Sequence, residues 1–191
     1  MNLLQEILKH NREFITNTSL QEAVENTGVS KIPTREIAIL TCMDTRLVNF
    51  MEGALGIERG HAKILKNAGN CVTGPFDSVV RSLLVCIYEL GVSEVFVIGH
   101  YECGMAKTTS QSLTDRMLER GISKDAILMI NHELTHWADG FSHPVENVEE
   151  TVANLRMNPL IPKDVAIHGL MIHPHTGEID VVVDGYYEDK V

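Results

Sequence analysis

A thiol, a carboxylate and a guanidinium occupy alternate positions in Cys42-Met43-Asp44-Thr45-Arg46, a polar turn that interrupts an apolar run. Fifty-eight residues after Cys42, His100-Tyr101-Glu102-Cys103 follows a second apolar run in the same way. A His-x-x-Cys pair needs only a tight turn for both side chains to reach one ion. Two thiolates and one imidazole suit zinc in a borderline-soft tetrahedral site. The sequence therefore reads as one Zn2+ held by Cys42, His100 and Cys103, with the fourth position left to water.

Zinc lowers the pKa of bound water from about 16 towards 7, so zinc-bound hydroxide becomes available near neutral pH. Two thiolates cancel the ion's double charge, which predicts weaker acidification and better activity at alkaline pH. Ionised Asp44 can accept a hydrogen bond from that hydroxide and aim its lone pair. Arg46, two residues on, can hold the carboxylate by a charge-assisted pair. Asp44 and Arg46 are thus the candidate catalytic residues.

The elements that must position these groups are strands. Ile37-Ala38-Ile39-Leu40-Thr41 and Val95-Phe96-Val97-Ile98-Gly99 are continuous apolar runs, as in parallel strands covered on both faces. Ala62 to Lys66 reads as a further strand, and Val79 to Leu90 as an amphipathic helix stopped by Gly91. Leu47 to Leu55 reads as a short helix closed by Gly56. Residues 110–158 are polar and mostly helical, with a break near Gly140 to Pro144. Val165 to Ile172 and Glu178 to Val183 are strands joined by a tight turn at Pro174-His175-Thr176-Gly177, so they must be antiparallel. The expected fold is α/β, a mostly parallel five-stranded sheet flanked by helices, with four parallel strands and an antiparallel C-terminal strand. In such sheets ligands bind beyond the carboxyl ends of the strands. If the first strand is central, Cys42 and His100 share one crevice. Residues 1–35, an apolar-striped helix and a polar arm, are expected to pack on their own domain or a partner subunit, and residues 36–191 to form the zinc-binding domain.

Cys-Met-Asp-Thr-Arg, Lys66-Asn67-Ala68-Gly69-Asn70 and Gly99-His100-Tyr101-Glu102-Cys103-Gly104 together resemble the signature segments of β-class carbonic anhydrases, in their short, single-domain prokaryotic branch. The resemblance covers residues 36–108 closely and the Asn158-Pro159-Leu160-Ile161-Pro162 and His168-Gly169-Leu170 segments more loosely. It implies zinc on Cys42, His100 and Cys103, an Asp44–Arg46 dyad, and reversible hydration of carbon dioxide to bicarbonate. It also implies a homodimer or a tetramer of dimers, with the N-terminal helix on the neighbouring subunit. Lys66, Asn67 and Gly69 are the corresponding candidates for substrate binding. One branch of that family has a bicarbonate pocket that stabilises a closed form, with Asp44 on the zinc. It carries a tryptophan and an arginine where this chain has Ile39 and Lys66, which argues against the same inhibition here.

Three other readings compete. Related proteins use a similar site to hydrolyse carbon disulfide or carbonyl sulfide. A purely structural zinc would need a fourth ligand, for which Cys71 is the candidate. His132-Glu133-Leu134-Thr135-His136 matches the H-E-x-x-H metalloprotease pattern, with His143 downstream. The extended pattern needs Gly and His where Asp139 and Ser142 stand, and the alternating α/β context is wrong for a zincin.

Composition narrows the partners. With 191 residues, 44% of them apolar, the chain can bury a sizeable core without staples. A net charge of −10 argues against nucleic acid and anionic membrane surfaces. The sequence has no spanning apolar run, and Met1-Asn2-Leu3-Leu4-Gln5-Glu6 has no basic-then-apolar signal design. A cytoplasmic protein is expected, in which four scattered cysteines serve as thiols rather than disulfides.

Overall fold

The structure, a computed structural model, describes residues 2–18, 28–141 and 143–186. Residues 19–27, half of the polar arm expected before the first strand, lie outside the described residues. The chain divides into two compact units, Met1–Lys31 and Ile32–Val191.

The first unit carries helix α1, Leu3–Asn17. Asn2 caps it reciprocally with Gln5: each backbone N–H donates to the other's side-chain oxygen at 3.0 Å. None of its residues is buried, and Leu3, Leu4, Ile7, Leu8, Phe14 and Ile15 are exposed.

In the second unit the strands are β1 (Ile37–Cys42), β2 (Ala62–Asn67), β3 (Glu94–His100), β4 (Ala166–Ile172) and β5 (Ile179–Val183). They form one sheet in the order β2-β1-β3-β4-β5. The first three junctions are parallel and β5 is antiparallel to β4. The expected α/β sheet is the one observed. Apolar runs in β1 and β3 are explained by their central places: beyond Ile37, every residue of β1 is buried. One core cluster gathers Ala38, Leu40, Val95 and Val97, and the other gathers Ile39, Ile98 and Leu47.

Helix α2, Phe50–Ala54, is shorter than the Leu47–Leu55 span the sequence suggests. Asn49 takes a left-handed conformation (φ 60°) and Leu47 belongs to a separate 3-10 turn, Thr45–Leu47, so the helix starts late. Helix α3, Ser78–Leu90, is capped as its ends predict. Asp77 Oδ1 accepts from Val80 N–H at 2.9 Å, and Gly91 closes the helix at φ 69°. Cys86 is buried on its core face, and burial pushes its thiol up.

The polar stretch beyond is more broken than its composition suggests. It holds α4 (Ser110–Glu119), α5 (Lys124–Leu128), α6 (Asn131–Gly140) and α7 (Pro144–Met157). Gly121, at φ 84°, separates α4 from α5. Helix α7 lies against β3 and β4, burying Asn147, Val148, Thr151, Val152 and Leu155.

Candidate metal centre

Parallel pairing of β1 with β3 brings the two polar segments together. Thr41 is the register partner of Ile98, and its buried hydroxyl donates to the Ile98 carbonyl at 2.9 Å. Cys42 and His100 are the last residues of their strands, so both emerge at the carboxyl edge of the sheet. Cys103 returns to the same place because Glu102 adopts a left-handed conformation, φ 58°, which is costly for a non-glycine residue.

Cys42, His100 and Cys103 are all buried, and one ligand atom from each lies within 4.8 Å of the others. The two sulfurs are 3.9 Å apart. Zinc–sulfur bonds of about 2.3 Å at tetrahedral angles separate two sulfurs by about 3.8 Å, so the pair already spans the right edge. His100 Nδ1 donates to the Tyr101 carbonyl at 2.9 Å, which fixes the tautomer. Nε2 then faces the sulfurs as a buried nitrogen without a hydrogen-bond partner. A buried lone pair left unused beside two thiols is what a thiophilic cation would satisfy.

Electrostatics agree. The hydrogen bond with Cys103 holds the Cys42 thiol well below its usual range, despite burial; the neighbouring His100 ring and the backbone N–H groups of Gly69 and Asp44 add to this. The same bond, with burial, pushes Cys103 up. Burial pushes His100 down, but the adjacent Cys42 thiolate outweighs it and the net shift is upward.

Asp44 and Arg46 form the expected dyad beside this cluster. Asp44 Oδ1 accepts from Arg46 N–H at 2.9 Å and from Nε at 3.1 Å, and Oδ2 accepts from Nη2 at 2.9 Å. The Arg46 side chain is the main reason that the Asp44 carboxyl is lowered to about 2. Asp44 Oδ2 lies 3.7 Å from His100 Nε2, at the edge of the cluster. Glu102 secures the guanidinium from the other side, through Oε2 and its carbonyl, each at 3.2 Å. Glu102 in turn meets His175 Nε2 at 3.4 Å. Glu102 is not among the residues expected at the site, although its place between two candidate ligands in the sequence is a visible signal.

The three substrate-binding candidates separate. Gly69 and Asn67 build the turn beside Cys42: Asn67 Nδ2 donates to the Cys71 carbonyl at 2.8 Å, and Met43 N–H to the Asn67 carbonyl at 2.9 Å. Lys66 instead pairs with Glu52 at 3.2 Å. Phe141 and Met105 pack over Gly69 and belong to the same apolar cluster as Cys42 and Cys103. These two had no motif to announce them.

Among the described residues the candidate cluster contains only Cys42, His100 and Cys103. Cys71 is outside it, donating to the Ala68 carbonyl at 3.4 Å, and burial pushes its thiol up. His132, Glu133 and His136 lie on α6 and form no such cluster among the described residues.

Comparison with known proteins gives a consistent result. A family model described as carbonic anhydrase matches residues 37–179. The crystal structure of β-carbonic anhydrase isoform I from Trichomonas vaginalis superposes with a TM-score of 0.91 and 45% identity, covering 97% of this chain and all of that one. YvdA of Bacillus subtilis, provisionally named a carbonic anhydrase, is 41% identical over 191 residues, 98% of this chain and 95% of its own. A carbon disulfide hydrolase from Acidithiobacillus thiooxidans is 33% identical over 156 residues, 76% of each chain.

Proposed function

We infer the function from one premise: the chain belongs to the β-carbonic anhydrase family. It is a zinc lyase that reversibly hydrates carbon dioxide to bicarbonate and a proton. The observation that carries this reading is the buried trio of donors in which His100 Nε2 has no hydrogen-bond partner. We assign Cys42, His100 and Cys103 as the zinc ligands. Bound there, zinc supplies a Lewis acid that makes water reactive near neutral pH.

The chain's own residues do the rest. Two thiolates and a neutral imidazole match the charge of a divalent ion, so the loaded site is close to neutral. Asp44, held ionised by Arg46, offers only acceptor atoms. Its Oδ2 therefore accepts a hydrogen bond from the O–H of the attacking water and turns the oxygen lone pair towards the carbon of the substrate. Arg46, gripped by Glu102, keeps that carboxylate from rotating. Phe141 and Met105 give the site an apolar wall suited to a small linear molecule. Asn67 and Gly69 border it through their turn, whereas Lys66 has its charge offset by Glu52.

The working form is a homo-oligomer, a dimer or a tetramer of dimers. The support is α1, whose large apolar residues Leu3, Leu4, Ile7, Leu8, Phe14 and Ile15 need a surface to lie on that the helix cannot supply itself. A cytoplasmic setting suits the four free thiols. No described helix is long and apolar enough to cross a membrane.

Stopped-flow carbon dioxide hydration from pH 7 to 9, with zinc quantified on the same sample, tests the reading. One zinc per chain and activity rising towards alkaline pH are expected. Hydrolysis of carbon disulfide without hydration of carbon dioxide would transfer the site to the related hydrolases.

A further inference from the structure

Asn147, buried on α7, reaches across to the site although nothing in the sequence around it marks it as functional. Its Nδ2 donates to the Gly69 carbonyl at 2.8 Å. Gly69 is left-handed (φ 78°, ψ 15°), in the turn that leaves β2 beside Cys42: Asn67 is the register partner of Cys42, and its carbonyl accepts from Met43 N–H at 2.9 Å. The carbonyl that Asn147 holds and the one that pairs with Met43 thus belong to one turn. Glycine torsions are the least restrained by sterics, so a turn carried by glycine keeps its shape best when something outside it anchors it.

Helix α7 can provide that anchor because it sits close to the sheet. A Cβ at Gly99 would lie 2.6 Å from Val148 Cγ2, and one at Gly169 would lie 2.8 Å from Val148 Cγ1. Bare backbone on two adjacent strands makes room for Val148, and Asn147 is its neighbour in the chain. From the other side, Asn67 closes the turn onto the Cys71 carbonyl. The Gly69 turn is therefore clamped by two carboxamides, one local and one from α7.

We propose that Asn147 is a positioning residue of the metal centre, holding the Gly69 turn against the end of β1 that carries Cys42, and so sets how tightly the site holds zinc. The inference rests on Cys42 being a zinc ligand. Partners one layer behind the ligands change metal affinity by about 10–100-fold when removed.

The test compares wild type, Asn147→Ala and Asn147→Asp; the aspartate keeps the volume but loses both N–H donors. Three readouts are used: zinc affinity by chelator competition, the thiolate-to-metal absorption of the cobalt-substituted protein, and amide hydrogen exchange of Gly69 in zinc-free protein. We expect zinc binding about tenfold weaker in both variants, a displaced cobalt band and faster Gly69 exchange. A folded variant with zinc affinity within twofold of wild type overturns the proposal. If neither variant folds, wild type decides: Asn147 carboxamide protons exchanging as fast as exposed ones refute the anchor, and slow exchange there with a protected Gly69 amide supports it. Unchanged zinc affinity in Cys42→Ser would instead overturn the ligand assignment, so the two failures are distinguishable.

Discussion

Replacing Gly69 by alanine should be among the most damaging single-methyl additions in this protein, because two separate penalties meet there. The backbone is left-handed at φ 78°, a conformation that costs an L-residue about 1–2 kcal/mol. The added methyl would also lie 2.9 Å from Phe141 Cε2 and 3.2 Å from Met105 Cγ, closer than carbon atoms normally approach. Overpacking of that kind costs about 1–3 kcal/mol. Together the loss is about 2–5 kcal/mol, set against a total stability of about 5–15 kcal/mol for a typical domain. Urea unfolding of the zinc-free protein at fixed concentration measures it without ligand linkage, as a lower midpoint at unchanged slope. Gly74→Ala is the control, since nothing lies within 4 Å of a Cβ at that position and its backbone needs no positive φ. The two penalties can also be separated. In a Phe141→Leu background the overlap term should shrink while the backbone term persists, giving a coupling of about 1 kcal/mol or more. A Gly69→Ala cost within about 0.5 kcal/mol of the Gly74→Ala control would refute both the turn geometry and the close packing on it.

Other consequences are as direct. Asp44→Asn should retain zinc yet lose about 10²–10³ in hydration rate, the scale on which a preorganised hydrogen-bonding group at the reacting atom usually counts; wild-type turnover in that variant would remove Asp44 from the mechanism. Because the folded Asp44 pKa is depressed to about 2, its ion pair contributes stability that is complete above the unfolded value of about 4 and disappears as pH falls towards 2. Denaturation midpoints across that window should therefore fall less steeply in Asp44→Asn than in wild type. Asp77→Ala removes the acceptor of Val80 N–H and of Thr73 N–H at 2.7 Å, and should cost about 1 kcal/mol by thermal unfolding while leaving zinc stoichiometry unchanged.

The H-E-x-x-H pentad shows why a motif needs its context. Its histidines sit one turn apart on α6, as the pattern requires. No third donor joins them among the described residues. The Cys42 and His100-Cys103 segments look weaker as patterns, yet the sheet makes them converge.

Much of the fold and the centre of the site were legible from the chain alone, because they depend on local chemistry. Apolar runs ending in ligand-type side chains identified β1 and β3 and the groups at their ends. Asp77 and Gly91 marked both ends of α3. The spacing of Asp44 and Arg46 lets one side chain grip the other whatever the rest of the molecule does. What tertiary structure alone decided are contacts between residues far apart in sequence. Pairing Thr41 with Ile98 brings Cys42 to His100, and glycines at 99 and 169 let α7 come near enough for Asn147 to reach Gly69. Glu52 claims Lys66, a strand-end lysine whose partner no local pattern could name. Local propensity is carried by each residue's own side chain and neighbours, so it can be read along the chain. Which distant side chains meet depends on strand order and on how closely a helix can approach a sheet, and those exist only once the chain has folded.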